Sequence, residues 1–291
     1  KLIDEYTYIG FGSTHLEDFK MIHTTLGINK LISIEKDQKV YKRQLFNKPI
    51  NCIELINCSS GEFIQEYEFD NNCIVWLDYE SPKQLNEQIR EFQSLIEKCG
   101  YYDIVKITVN ANPEALGTNN GSESKEELYK RRLEKLRSRI SLFLNESVTH
   151  NDMTMNGLPK VIADALINAA NQITRRDSKK YFPISSFVYI DFGHQMLTLT
   201  GILLDKQSNF LDQIQISNWK YSYVPEQQIH RINLPDLTLK ERLMINSMLP
   251  CDDYSAILKG LGYEDIPDFS SEIESYVNYY RHFPSFSRVI I

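Results

Sequence analysis

The run Tyr6-Thr7-Tyr8-Ile9-Gly10-Phe11-Gly12-Ser13-Thr14 passes from an apolar, β-rich stretch into a glycine turn. Leu16-Glu17-Asp18-Phe19-Lys20-Met21-Ile22 continues it as a helix-like run. Two glycines at a strand-to-helix junction let the backbone approach a ligand closely, with a helix N-terminus just beyond. The same junction favours glycine on steric grounds alone, so the pair gains weight only from suitable groups at the right spacings further along the chain.

Strands and helices alternate beyond this turn. The opening helix ends at Gly27, which suits a C-cap, and Lys30 to Ile34 reads as a buried strand with Glu35 at its carboxyl end. Gln38 to Phe46 is compatible with a helix, and Asn51 to Ile56 is a third strand running into the polar turn Asn57-Cys58-Ser59-Ser60-Gly61. Cys73-Ile74-Val75-Trp76-Leu77 is continuously apolar, as a central parallel strand buried on both faces should be. It ends in Asp78-Tyr79-Glu80-Ser81-Pro82, where Ser81 and Pro82 suit the N-cap and first position of a helix reaching Cys99-Gly100. Asp103 to Val109 is a fifth strand. Alternation at this interval predicts a Rossmann-like, mainly parallel α/β sheet.

The pattern changes after Asn112. Residues 112–121 are turn-rich, and helices are predicted over Lys125–Leu144 and about Asn156–Ile173, a helical insertion spanning residues 113–181. Ser185–Ile190 and Gln195–Leu204 flank the turn Asp191-Phe192-Gly193-His194 and read as an antiparallel hairpin that closes the sheet. A further strand is expected within Gln213–Tyr223. The core is thus assigned to residues 1–112 and 182–225, and a helical C-terminal extension to residues 226–291, with Thr238-Leu239-Lys240-Glu241 as a capping box.

Composition excludes several classes. The 291 residues are 42% hydrophobic and 24% charged, ordinary for a soluble globular protein, and no apolar run approaches the roughly 20 residues that cross a bilayer. The chain begins at Lys1 rather than methionine, so a natural N-terminus missing or processed is an expectation here. Five cysteines without a Cys-x-x-Cys spacing point to reduced thiols in the cytoplasm and to no zinc site. The net charge of −7 argues against broad attraction to nucleic acid. A local contact stays open at the insertion, where Lys130, Arg131, Arg132, Lys135, Arg137 and Arg139 share a helix and Arg175, Arg176, Lys179 and Lys180 cluster nearby. Glu126, Glu127 and Glu134 partly balance that helix, whose basic run reads equally well as a solvated face. The aromatic tail Tyr276, Tyr279, Tyr280, Phe283 and Phe286 suits core packing, a protein partner or a second copy better than base stacking.

In an open α/β sheet, ligands bind beyond the carboxyl ends of the strands. Four such ends carry suitable groups: Gly10 to Thr14, Glu35, Asn57 to Ser60, and Asp78 to Glu80. Glu35 comes 25 residues after Gly10, and a carboxylate there can accept hydrogen bonds from both hydroxyls of a ribose, or stand as a solvated charge. A dinucleotide fingerprint needs a third glycine where this chain has His15. A cationic cofactor without a pyrophosphate has less need of it.

With these features the chain resembles the class I S-adenosylmethionine-dependent methyltransferases over roughly Tyr6 to Asn110, and the hairpin Phe187 to Leu204 is similar to their closing antiparallel strands. The resemblance implies S-adenosylmethionine as cofactor, with Gly10, Gly12 and Ser13 in the glycine-rich first motif and Glu35 as the ribose-binding acid. It further implies Cys58 and Ser59 in the adenine-side turn, and Asp78, Tyr79 and Glu80 in the fourth motif. On that reading Asp78 holds the amino-acid end of the cofactor and Glu80 serves as base or acceptor ligand, with Tyr79 beside the approaching acceptor. Asp78 and Glu80 can also be plain strand-end and helix-start charges.

The chain departs from the family's pattern at Tyr8, where an acid is usual, and at Ser59, where an acid is common. The Asn/Asp-Pro-Pro-Tyr signature of amino-methylating enzymes is absent, so O-methylation of a small molecule or protein is favoured over a DNA base; the acceptor is open. These departures keep a catalytically degenerate, methyltransferase-like scaffold module as the alternative. A nicotinamide-dependent oxidoreductase is disfavoured by His15 and by the hairpin, and Asp191-Phe192-Gly193 lacks the loops of a kinase magnesium site.

Overall fold

The computed structural model describes residues 2–119, 121–224, 227–266 and 269–282. Phe283 and Phe286 lie outside the described residues. Alternation of strand and helix holds through the first half of the chain: β1 (Thr7–Phe11), α1 (Glu17–Leu26), β2 (Lys30–Ile34), α2 (Gln38–Asn47), β3 (Ile53–Ile56), α3 (Ser60–Glu66), β4 (Cys73–Asp78), α4 (Leu85–Lys98) and β5 (Ile104–Asn110). Helices α5 (Lys125–Ile140) and α6 (Leu158–Ile173) come next, then β6 (Lys179–Asp191), β7 (His194–Asp205) and the short α7 (Phe210–Gln213).

The strands lie in the order β3-β2-β1-β4-β5-β7-β6. Strands β1 to β5 pair in parallel, whereas β7 is antiparallel to both β5 and β6. From β1 the chain builds outward through β2 and β3, then returns to lay β4 on the other side of β1. That reversal is the topological switch point of the sheet, and its carboxyl end is where an open α/β sheet leaves a crevice.

Period-two alternation sorts the strand residues between two cores. Ile9, Ile32, Val75, Leu77, Val105 and Ile107 share one cluster with Ile89, Phe92 and Ile96 of α4 and with Leu166 and Ala169 of α6. Tyr8, Leu31 and Ile53 face the opposite side and pack with Leu16 and Phe19 around α1. The helices at 125–140 and 158–173 belong to the first core, to which Leu133, Leu136 and Ile140 also contribute.

Several sequence-based expectations need correction. The polar turn at Asn57–Gly61 is largely a helix start, because Ser59 and Glu62 form a reciprocal capping box that opens α3. Among the described residues no strand forms within 213–223; that stretch holds the end of α7 and a 3-10 turn at Ile216–Asn218. Its apolar residues Ile214 and Ile216 instead line an apolar cavity with Ile104, Ile202 and Phe210. Ser81 makes no side-chain cap, since a 3-10 turn at Pro82–Gln84 intervenes before α4. Lys179 and Lys180 are strand residues of β6. Lys179 Nζ donates to the carbonyls of Ile96, Glu97 and Cys99 at 2.5–3.0 Å, which terminates α4 with a positive charge.

The basic helix is also less free than its composition suggests. Arg132 is buried and donates to the carbonyls of Gly117 and Met153, while Arg139 donates to Pro82 O and Arg137 to Val148 O. Lys130 and Arg131 pair with Glu126 and Glu123.

The chain divides into two compact units, Lys1–His230 and Arg231–Ile291, with the three-residue strand β8 (His230–Ile232) at the junction. The second unit contains α8 (Leu239–Ser247), α9 (Ser255–Leu261) and α10 (Phe269–Tyr279), which enclose Ile245, Ile257, Leu258, Ile273 and Tyr276. Thr238 and Glu241 form the capping box of α8, and Tyr276 is core here, its hydroxyl donating to Asn246 Oδ1 at 2.9 Å. No helix among the described residues is long and apolar enough to cross a membrane.

Candidate active site

Beyond the carboxyl ends of β1, β2 and β4 lies a cavity of about 780 Å³. Gly12, Ser13, Glu35, Cys58, Asp78, Tyr79 and Glu80 all line it, although they come from four separate strand ends. Two of the predicted site residues do not. Gly10 is buried in β1, where a Cβ would sit 3.2 Å from the Tyr8 hydroxyl; Ser59 is occupied as the N-cap of α3. His15 is exposed beside the turn, and His194 belongs to a different, smaller cavity.

Each wall has a local cause. At Gly12 a Cβ would lie 2.2 Å from Ser33 Oγ, 2.5 Å from Leu16 Cδ2 and 2.7 Å from Gln44 Nε2, so no side chain fits. The fully buried Gln44 of α2 clamps the turn, donating from Nε2 to Gly12 O at 2.6 Å and to Ser13 O at 3.3 Å. Glu35 is aimed by its surroundings: its Oε1 accepts from the Asp37 backbone N–H at 2.7 Å, and its carbonyl accepts from Asn57 Nδ2 at 2.6 Å. Asp37 in turn caps α2 by accepting from Lys39 N and Val40 N. The Cys58 thiol is pushed up by burial, then by the nearby Glu62 and Glu66 carboxylates, and so stays protonated.

Tyr79 presents its ring rather than its hydroxyl. The hydroxyl donates to Glu91 of α4, which also accepts from Ser60 Oγ at 2.6 Å, and burial together with the Glu91 charge pushes its pKa well up. Its ring stands edge-on to Phe11 with centroids 5.3 Å apart, forming an aromatic wall.

Beneath the cavity sits a charged group that motif reading missed. Lys106 projects from β5 with Nζ 3.3 Å above the centroid of the Trp76 ring. Burial pushes its pKa down to about 8, opposed by the charges of Asp78 and Asp18. Asp18 comes from α1 and accepts from the Tyr8 hydroxyl at 3.0 Å; burial raises its pKa above the usual range. Asp78 is pushed up to about 6, chiefly by burial and further by Glu80 and Asp18, while Lys106 and the Thr108 hydroxyl hold it lower. Thr108 itself accepts from Trp76 Nε1 at 3.0 Å and exchanges a hydrogen bond with Thr198 of β7 at 2.8 Å. One signal for this cluster was present in the sequence: Lys106 is the lone charge in the β-rich run Ile104–Val109. Asp18 and Gln44 carried no such signal.

A second cavity of about 530 Å³ shares Glu80 and Ser81 with the first. Asn110, Asn112, Glu114 and His194 complete it from the end of β5, the loop beyond it and the β6–β7 hairpin. Asn110 and Asn112 are held by Asx turns, accepting from Asn112 N and Glu114 N at 3.0 Å each. The hairpin turn itself is a tight one, with Phe192 at φ 44° and Gly193 at φ 81°. Phe192 is 96% exposed, which leaves the Asp191-Phe192-Gly193 run a hairpin tip.

Among known proteins, the family model described as "Putative O-methyltransferase" matches residues 1–291. No curated protein sequence matches the chain. Solved structures similar to it include the fibrillarin pre-rRNA processing protein of Methanococcus jannaschii, at 12% identity and a TM-score of 0.37, covering 71% of this chain and 70% of that one. TYW2 of Pyrococcus horikoshii in complex with MeSAdo is similar at 11% identity and TM-score 0.39, covering 69% of this chain and 58% of that one. Trm1 of the same organism with S-adenosyl-L-methionine is similar at 8% identity and TM-score 0.44, covering 68% and 50% respectively. Likenesses this distant carry no argument about chemistry. The family match rests on the whole length of the chain, and by it this protein belongs to that family of O-methyltransferases.

Proposed function

We propose that the protein transfers a methyl group from S-adenosylmethionine to an oxygen of a polar acceptor, at the junction of the two cavities. The observation that carries this reading is the charge of the larger cavity at the switch point. Five carboxylates (Glu17, Asp18, Glu35, Asp78 and Glu80) line it against one cation, Lys36. Such a lining attracts a cationic ligand and repels a pyrophosphate. The residues present therefore fit a sulfonium cofactor better than a dinucleotide.

In this assignment Glu35, oriented by Asp37 N–H, accepts from the ribose hydroxyls. Asp78 and Asp18 face the cationic end, and the close-packed turn at Gly12 and Ser13 lets the backbone approach. Bound there, the cofactor would supply an electrophilic methyl carried on a positively charged sulfur. The chain's own contribution is to position the two partners and to take the hydroxyl proton, a task that falls to Glu80 at the shared wall. The smaller cavity has Asn110, Asn112, Glu114 and His194 on its walls and neither lysine nor arginine, which suits a neutral, hydroxyl-bearing small molecule or protein side chain better than an anionic strand. We place the reaction in the cytoplasm, in keeping with five free cysteines. A scaffold role draws no support from a site whose cavity stays open.

Calorimetric titration with S-adenosylmethionine and S-adenosylhomocysteine tests the reading. Binding of both is expected, and Glu35→Ala is expected to weaken it by roughly tenfold or more, the scale of losing hydrogen bonds to a charged acceptor. Folded protein that binds neither compound at millimolar concentration would sink the proposal.

A further inference from the structure

Helix α2 and the turns that flank it carry five cations, Lys36, Lys39, Lys42, Arg43 and Lys48, against one acid, Asp37, in a chain whose net charge is −7. Within α2, Lys39, Lys42, Arg43 and Phe46 recur at i, i+3, i+4 and i+7, the spacing that sets side chains on one face of a helix. All four are exposed, whereas Gln44 on the opposite face is fully buried. Phe46 is 91% exposed and its neighbour Leu45 is 55% exposed. The three ion pairs among the described residues leave these cations out, joining Lys130 to Glu126, Arg131 to Glu123 and Lys160 to Asp164. Asp37 is committed to the helix N-cap, its Oδ1 accepting from Lys39 N and Val40 N. This face differs from the basic helix α5, whose arginines are held by carbonyls and a carboxylate of their own chain.

An apolar ring standing clear of the surface among cations fits a partner that presents anionic and apolar groups in one plane. An anionic phospholipid bilayer offers both, with charged headgroups outside and acyl chains just beneath. A single-stranded nucleic acid offers phosphates and stacking bases. Leu45 has no ring for a base to stack on, however, and the convex face of one helix makes no groove to follow a strand. Charges farther than about 8–10 Å are screened at physiological ionic strength, so the local excess of cations, not the net charge of the chain, decides such a contact. We propose that α2 docks the protein on an anionic phospholipid surface, with Phe46 and Leu45 entering the boundary between headgroups and acyl chains and Lys39, Lys42 and Arg43 contacting the headgroups. Lys36 and Val40, at the start of the same helix, line the larger cavity, so the docking helix is also one of that cavity's walls.

The test is co-sedimentation of the full chain with vesicles of phosphatidylcholine alone and of phosphatidylcholine containing phosphatidylserine, at physiological salt. Wild-type protein is expected to sediment with the anionic vesicles and not with the neutral ones. Lys42→Gln combined with Arg43→Gln should weaken that binding by roughly 25-fold, about fivefold for each charge removed. Phe46→Ser, which leaves every charge in place, should weaken it by about tenfold. Lys130→Gln, which removes one charge from α5 instead, should leave it unchanged. All the substituted side chains are exposed, so an unaltered thermal midpoint should accompany each variant. Wild-type protein that ignores anionic vesicles, that sediments equally with neutral ones, or whose binding survives the α2 substitutions would overturn the assignment. A fluorescent oligouridylate strand bound more tightly than the vesicles, and released by the same substitutions, would also overturn it and give the face to nucleic acid.

Discussion

At the scale of single residues, the charge of the larger cavity depends on Asp78 and on the buried Lys106 that acts on it. The Asp78 carboxyl, ordinarily near 3.8, is pushed up to about 6 because burial disfavours its charged form, while Lys106 works in the opposite direction. A cationic ligand gains from the carboxylate and nothing from the neutral acid. Affinity for S-adenosylmethionine is therefore expected to fall as pH drops through about 6, with protons released on binding near that pH. Lys106→Met removes a charge that lowers the Asp78 pKa, so the midpoint of the affinity–pH profile should move upward; Asp78→Asn should flatten the profile. A midpoint unmoved by Lys106→Met would show that the two groups are not coupled. Asp18 brings a carboxylate to the cavity from α1. The strand position Tyr8 lacks the acid expected of the resemblance, but its hydroxyl holds the Asp18 carboxylate at the cavity, so an acid reaches the site from the next helix.

At the scale of elements, helix ends and strand charges explain where the cavity walls stand. The start of α2 is set by Asp37, which caps two backbone N–H groups while its own N–H aims Glu35. The far end of α4 is set by Lys179 of β6, which satisfies three carbonyls left over at the helix terminus. Lys179→Met keeps the aliphatic stem and removes the donors. It is expected to lower stability by about 1–3 kcal/mol, the cost of leaving such groups unmatched, read as a shift of the denaturant midpoint at unchanged slope. An unchanged midpoint would mean that water replaces the ammonium without loss. The same residue shows why a basic cluster read from sequence is ambiguous. Charge is visible in one dimension, but its partner, 80 residues away at Cys99, is not.

At the scale of the whole molecule, the switch point between β1 and β4 makes one crevice, and every residue lining the larger cavity lies between Phe11 and Gln88. The second compact unit, Arg231–Ile291, has its own apolar core. A chain ending at His230 is accordingly expected to bind S-adenosylhomocysteine with unchanged affinity in calorimetry; loss of binding with the first unit still folded would assign the second unit a part in the site.

Alternating strands and helices, the continuous apolar run at Cys73–Leu77 and the hairpin turn were legible because they are local: hydrophobic periodicity and turn chemistry act over a few residues. The acidic strand ends Glu35, Asp78 and Glu80 were legible for the same reason, since a strand's carboxyl end is a position in the chain. Helix α3 was obscured because Ser59 and Glu62 satisfy each other reciprocally in a stretch that composition marks as a turn. Chain order by itself thus determined the type and sequence of the elements and which residues stand at strand ends. Only the tertiary structure decided which of those residues share a cavity. It alone put Asp18 and Lys106 beside Asp78 and sealed Gly12 with Gln44. These are contacts between residues distant in sequence, and their energies depend on burial, which no single position along the chain encodes.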